Sequence, residues 1–506
     1  KFPYQQCNNL EEVCCWTWVI MELEINSVDN VYIQISCEPS LKMELNHYFR
    51  FRPNNYQFMP MFRAKKWDGY VYLFNYDNGK IYSGLKQEVY RFANDREYRV
   101  KDNTVSENPN ITNEDYFQFL TSFPCEYKLR DYQSNAVRYA IDQERCLLLS
   151  PTASGKSLII YYLMRYYFPR RTLIIVPTLS LVNQMYSDFD AYADKDFEVK
   201  NHVHQIYGGQ EKESDKEVII STWQSLYELK KPFFNDFEVV IGDEAHLYKA
   251  KSLTKIMKNL VNAPYRIGTT GTLDEVEVHR LILTGLFGPV KKVTTTKELI
   301  KKKTLSEISI RCLVLKYSKE SAMIVSKLKY QEEIDFLVSH PERNKYICNL
   351  VDGLRGNSLV LFQLVEKHGN ILYDMLQDKL DNSRRVFFVY GGTDAESREQ
   401  VRSIIETEKD AVICASYGVY STGINIRNLH NIIFASPSKS RIRNLQSIGR
   451  GLRKSDTKSS ASLYDIADDL TFKERKNYTL NHFMERVKIY SSEQFPYHIY
   501  TIPIKG

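Results

Sequence analysis

No apolar run in this chain reaches the roughly 20 residues that a membrane-spanning helix needs. Cysteine is sparse and unpaired. Its nine residues are scattered, none in C-x-x-C spacing, and Cys14 directly precedes Cys15. Zinc sites draw on ligands a few residues apart, and adjacent cysteines do not close an easy disulfide, so neither device organises this fold. Reduced thiols and a cytoplasmic location are the expectation. Charge of one sign is also lacking. Lys and Arg number 68 against 62 Asp and Glu, a net +6 that permits a polyanionic partner without requiring one. The apolar stretch from Cys14 to Met21 is short and follows Glu11-Glu12, the wrong flank for a signal peptide. What remains is a globular composition, 43% hydrophobic and 26% charged over 506 residues. That length suggests about three domains.

The chain is organised around Leu147-Leu-Leu-Ser-Pro-Thr-Ala-Ser-Gly-Lys-Ser157. An apolar strand runs into a loop of small residues and then a helix, the pattern of a phosphate-binding loop. Small residues let backbone N–H groups curl around a triphosphate, and the helix turns its positive end toward the anion. Thr152, Ala153, Ser154 and Gly155 would line the phosphates. Lys156 would reach the β- and γ-phosphates, and Ser157 would hold Mg²⁺. Ser150 stands where the pattern has its first glycine, still a small residue compatible with a tight turn.

A second element reinforces the first. Val239-Val-Ile-Gly-Asp-Glu-Ala-His246 is a buried strand that ends in two adjacent acids. Two carboxylates at such a place are costly without a cation. Asp243 is the expected second Mg²⁺ contact and Glu244 the group that polarises the attacking water. Upstream, Gln133 can read an adenine edge with help from Arg130. Downstream, Thr270 and Thr272 can hydrogen-bond the carboxylates and, with His246 and Gln446, couple nucleotide state to a bound polymer. In parallel sheets the strand C-termini line the functional crevice, which places Pro177, Thr178, Thr222 and Gln224 toward a ligand. Helix capping is the structural alternative for these hydroxyls.

A second αβ series follows. Its strands end at Gly391-Gly392 and at Ser416, and the N–H groups near Ser421, Thr422 and Gly423 are candidate phosphate contacts. In Gln446-Ser-Ile-Gly-Arg-Gly-Leu-Arg453, a helical period brings Gln446, Arg450 and Arg453 to one face. Arg450 and Arg453 are expected to reach the γ-phosphate from across a cleft, as arginine fingers do.

Residues 1–20 are set apart as an extra, disordered segment, because regular alternation (Leu23, Ile25, Val31, Ile33, Ile35) begins only after Met21. Residues 21–100 read as a small α+β domain and 101–125 as a linker. The first large domain spans 126–292, a basic hinge 293–304, the second large domain 305–470 and a helical extension 471–506. In the small domain, Arg50, Arg52, Arg63, Lys65 and Lys66 interleave with Phe51, Phe62 and Trp67. Lys66 and Trp67 are candidate nucleic-acid contacts, since such a mixture grips phosphates and stacks bases. A solvated face around a small core suits the same residues.

Taken together, Ser-Pro-Thr-Ala-Ser-Gly-Lys-Ser, Asp-Glu-Ala-His, Thr-Gly-Thr and Gln-x-x-Gly-Arg-x-x-Arg stand in the order of superfamily 2 helicases, which this chain resembles over about Lys128 to Arg453. More narrowly, Lys66-Trp67-Asp68-Gly69 and Ala415-Ser-Tyr-Gly-Val-Tyr-Ser-Thr-Gly423 make it similar to the UvsW-type helicases of large tailed bacteriophages. The resemblance implies an α/β fold of two tandem RecA-like parallel-sheet domains behind a small N-terminal α+β domain. It implies ATP and Mg²⁺ as cofactors, a monomer, and forked or branched DNA or RNA–DNA hybrids as partners. It also implies backbone contacts for Thr178, Thr222, Gly392 and Thr422. Fork regression, Holliday-junction migration and R-loop removal come from the family alone, with an RNA helicase or a restriction-system motor as the alternative and a non-hydrolysing nucleic-acid annealing scaffold as a third reading that the intact Lys156, Glu244 and Arg450 oppose. Asn425 departs from the family, in which an acid near the ribose is common.

Overall fold

A computed structural model describes residues 21–53, 56–104, 110–122, 125–208, 211–273, 277–381, 383–422, 426, 428–436, 447–449 and 460–504. Residues 1–20, expected to be disordered, lie outside that set. The chain divides into two units, Lys1–Asn108 and Pro109–Gly506.

The first unit carries strands β1 (Glu22–Ser27), β2 (Tyr32–Ser36), β3 (Arg50–Phe51), β4 (Val71–Tyr72), β5 (Lys80–Tyr82) and β6 (Arg99–Asp102). Four of them form a mixed sheet in the order β5-β2-β1-β6, and β3 pairs with β4 in a separate ribbon. The alternation read from the sequence is the alternation of burial: Leu23, Ile25, Ile33 and Ile35 point inward. Helices Pro39–Tyr48 and Lys86–Asn94 add Leu41, Leu45, Val89 and Phe92 to the same core. The sheet needs β6, so this unit runs past residue 100 into the segment read as linker. The rest of that segment belongs to the second unit. Helix Asn113–Ser122 buries Tyr116, whose hydroxyl donates to Ser134 O at 2.8 Å.

The second unit holds two all-parallel sheets. The first is built from β7 (Arg145–Leu149), β8 (Thr172–Val176), β9 (Val203–Ile206), β10 (Val218–Thr222), β11 (Val239–Gly242), β12 (Tyr265–Thr270) and β13 (Val290–Lys292). Their order is β13-β7-β12-β11-β8-β10-β9. Every residue of β8, β10 and β11 is buried, as expected of strands covered on both faces by helices. The second sheet comprises β14 (Glu307–Lys316), β15 (Ser358–Phe362), β16 (Val386–Val389), β17 (Val412–Ser416), β18 (Asn431–Phe434), β19 (Ser460–Asp469) and β20 (Tyr497–Pro503). It runs β16-β17-β15-β18-β19-β14-β20. These are the two tandem RecA-like lobes. Among the described residues no helix is long and apolar enough to cross a membrane.

The stretch read as a basic hinge contains a helix, Thr296–Lys301. Thr295 Oγ1 accepts from Glu298 N at 3.1 Å, and Glu298 Oε2 accepts from Thr295 N at 3.0 Å. Leu299 is buried in the second lobe, while Val293 packs against the cores of both lobes.

The tail departs from a purely helical extension. Helix Tyr478–Ser492 is followed by β20, which pairs with β14 and completes the second sheet. The strand Tyr-His-Ile-Tyr-Thr-Ile-Pro is rich in β-branched and aromatic residues, a signal outweighed in sequence by the preceding charged run. Arg486 lies in this charged tail, yet it is buried. Its guanidinium meets the Asp465 carboxylate at 2.7 Å, and Tyr490 OH donates to the same acid at 2.7 Å. Asp468, three residues along β19 and so on the opposite face, is paired with buried Arg343 at 2.8 Å and accepts from Tyr317 OH at 2.8 Å. One strand thus carries an acid to each helical layer, and each layer supplies an arginine. Arg486→Met should leave Asp465 buried and unpaired, at a cost of about 3–5 kcal/mol. A lowered unfolding midpoint of the full chain in urea checks this.

Candidate active site between the two lobes

Strand order assembles the site. Because β7, β12 and β11 are neighbours, the phosphate loop, the Thr-Gly-Thr turn and the Asp-Glu pair leave the same end of the sheet side by side. The loop itself is held closed by hydroxyls. Ser150 and Ser154, both fully buried, lie Oγ to Oγ at 2.6 Å. The serine in place of the pattern's first glycine therefore staples the loop it opens. Ala153 and Gly155 have φ of +65° and +80°. These positive values, one of them at a non-glycine residue, turn successive N–H groups toward one concavity. Lys156 Nζ rests 3.5 Å from Ser150 O. Helix Lys156–Tyr167 starts there with its N-terminus facing the concavity. The Ser157 hydroxyl is 3.1 Å from Tyr192 OH, whose pKa burial raises to about 12, so that phenol stays protonated.

Asp243 is buried at the end of β11. Burial, and then the neighbouring Glu244 carboxylate, push it above the usual carboxylate range, while Lys156 and a hydroxyl bond pull the other way. That bond comes from Thr269, whose Oγ1 donates to Asp243 Oδ1 at 2.7 Å. Thr270 and Thr272, expected to contact the carboxylates, do not. Thr270 Oγ1 instead lies 3.1 Å from His246 Nδ1 and donates to Thr272 O at 2.9 Å. The reason is strand parity, since Thr269 and Thr270 face opposite sides of β12. His246 Nδ1 also lies 3.3 Å from Glu244 Oε2. Glu244 itself sits at φ +47°.

Gln133 is buried against the loop. Its Nε2 donates to Ser154 O at 3.0 Å, and its Oε1 accepts from Arg130 N at 2.9 Å. In this structure it braces the phosphate loop rather than presenting both amide groups to a base. Arg130 Nη1 donates to Tyr132 OH at 3.2 Å, and Tyr132 OH donates to Ser154 O at 2.9 Å. The Tyr132 ring lies in the core of the second lobe, and Ala153 packs against that core. Tyr132 thus joins the nucleotide loop of one lobe to the interior of the other. It stands between Arg130 and Gln133, and the sequence carries no signal that sets it apart from a core tyrosine.

The second lobe also reaches the loop through Gly449. A Cβ there would come within 2.6 Å of Thr152 Cβ, so a larger residue does not fit. A cleft of about 220 Å³ opens beside this contact, lined by Thr152, Gly271, Thr272, Lys292, Gly449 and Phe495 among others. Arg450, Arg453, Gln446, Gly423 and Asn425 lie outside the described residues. Thr422 ends helix Tyr417–Thr422.

Pro177 and Thr178 follow β8, and Thr222 and Gln224 follow its neighbour β10. Thr222 Oγ1 accepts from Ser225 N at 3.4 Å and caps helix Trp223–Tyr227. Thr178 Oγ1 is buried with no hydrogen-bond partner. Gln224, Gly391 and Gly392 are exposed. In the N-terminal unit Lys66 is exposed and Trp67 half-buried, its Nε1 donating to Tyr70 O at 2.7 Å.

Three family profiles match. Residues 22–102 match "DNA helicase UvsW, N-terminal", 126–275 "Type III restriction enzyme, res subunit" and 342–455 "Helicase conserved C-terminal domain". The chain is 32% identical to the ATP-dependent DNA helicase uvsW of Enterobacteria phage T4, over 95% of this chain and 100% of that one. It is 23% identical to the DNA 3'-5' translocase XPB2 of Sulfurisphaera tokodaii, over 75% of this chain and 89% of that one. Among solved structures, the ATP-dependent Type ISP restriction-modification enzyme LlaBIII bound to DNA shares the fold. The TM-score is 0.55 at 16% identity, covering 84% of this chain and 36% of that one.

Thr269→Val, which keeps the shape and removes the donor to Asp243, should lower ATP turnover about ten- to a hundredfold. Thr269→Ser, which retains the hydroxyl, should keep most of it. Steady-state hydrolysis by the two variants checks this.

Proposed function

The chain belongs to the UvsW family of ATP-dependent phage DNA helicases, and from that premise we propose that it remodels branched DNA. The reactions are fork regression, Holliday-junction migration and unwinding of RNA–DNA hybrids, in phage recombination, repair and replication. The observation that carries the motor part is the phosphate loop touched from both sides. Gln133 and Tyr132 hold it on the first lobe, and Gly449 meets it from the second. Nucleotide bound there would bear on both lobes at once, so its loss would change their separation.

In this reading Lys156 and the N–H groups of Thr152–Gly155 bind the phosphates, and Glu244 orients the attacking water. The site suits a divalent cation. Asp243 is buried and biased toward its neutral form by desolvation and by Glu244, a deficit of positive charge that Mg²⁺ would relieve. Ser157 and Asp243 would hold it with the phosphates, and it would supply charge neutralisation there. Arg450 and Arg453 complete the site from the second lobe. Thr270, Thr272, His246 and Gln446 couple it to DNA held by Pro177, Thr178, Thr222, Gln224, Gly391, Gly392 and Thr422. The buried, unpartnered Thr178 hydroxyl supports a ligand at that edge.

ATP turnover should rise on adding forked DNA, and Lys156→Ala should reduce it to background. A Lys156→Ala protein that still migrates a Holliday junction at the original rate would refute the motor. Lys65→Ala/Lys66→Ala should weaken fork binding more at low than at high salt, because phosphate contacts release counterions. Titrations at two salt concentrations check this.

A further inference from the structure

The second sheet stops at a strand that little covers. β20 pairs with β14 along one side from Tyr497 to Pro503, and among the described residues no strand pairs with its other side. Its main chain therefore presents a row of free N–H and C=O groups. Both faces are open as well. Ile499, 51% exposed, shares a face with Tyr497, which packs on the core that includes Phe483 and Tyr490 of the tail helix. Tyr500, 47% exposed, shares the opposite face with Ile502, which packs on the other core of the lobe. Each core thus runs out to this strand and ends there in an apolar side chain facing water.

Natural sheets guard such an edge with charge, with proline or with a bulge. From Tyr497 to Ile502 this one has no Asp, Glu, Lys, Arg or Pro, and Pro503 comes only at its last position. Its register with β14 is unbroken. The neighbouring cations stand one strand in. Arg311 lies opposite His498 and Lys316 opposite Pro503. Both are exposed, and among the described residues neither makes an ion pair. Arg311 instead donates to Tyr464 OH at 2.9 Å.

These features select one kind of occupant. A free edge is completed only by another extended main chain. Ile499 and Tyr500 match apolar side chains on both faces of that chain, and Arg311 and Lys316 match acids at its ends. Nucleic acid has no such main chain, and a second copy of β20 would bring the same cations and no acid. We propose that β20 is the docking edge for an extended segment of a second protein, apolar along its middle and acidic at its ends, which extends the seven-stranded sheet by one strand.

The test titrates the full chain into a fluorescent peptide of Val, Tyr and Thr residues with two Asp at each end. The peptide should bind, and exchanging its Asp for Lys should weaken binding about tenfold. N-methylation of alternate residues should abolish binding in one phase and spare it in the other, because only every second N–H of a strand faces its neighbour. Ile499→Thr/Tyr500→Thr, which keeps strand propensity, should weaken binding about tenfold and leave DNA-stimulated ATP turnover unchanged. A peptide that does not bind, that binds equally in both methylated phases, or that binds this variant as tightly as the wild type overturns the proposal. So does a wild-type dimer in sedimentation that the variant abolishes, which assigns the edge to a second copy. The methylation comparison uses the unaltered chain, so it decides even where the variant folds poorly.

Discussion

The catalytic end of the first lobe depends on one acid forced out of water. Asp243 ends a strand in which every residue is buried, and its charge is opposed both by that burial and by Glu244. A carboxylate in such a place persists only with compensation. Here the compensation is a hydroxyl from the adjacent strand and an ammonium from the loop on the strand beyond. Sheet order is what makes these three groups neighbours, although nearly 90 residues of chain separate Lys156 from Asp243. Any nucleotide chemistry at this end starts from that imbalance.

Much of this was legible in sequence because the signals are local. Small residues before Lys156, and acids at the end of an apolar run, can each arise in only a few structural contexts. The non-alternating strands announced two parallel sheets for the same reason. What escaped depends on relations between strands or lobes. Thr269 and Thr270 are equivalent in a string of letters, and only the register of β12 on β11, which sets Thr269 on the same sheet face as Asp243, decides which one bonds it. Gln133 carries the groups to read a base, but its use as a brace follows from where the loop backbone lies. Tyr132 acts across the lobes, which composition cannot show. Arg486 sits in a charged tail and gives no hint that an acid on β19 awaits it.

The second lobe is tied together by paired charges. Its two helical layers are each pinned to β19 by an ion pair fully removed from solvent. Such pairs contribute little net stability, but they forbid sliding, because any slip strands a charge. The tail helix and β20 are thereby made part of the lobe rather than an appendage. The connection between the lobes is lighter, a short capped helix and Val293 resting on both cores.

The meeting of Gly449 with Thr152 has a mechanical meaning. Where the two lobes meet at this point, the contact is main chain against a short side chain. Such a buffer has almost no rotamers with which to give way. The two lobes therefore have little room to draw closer at the phosphate loop.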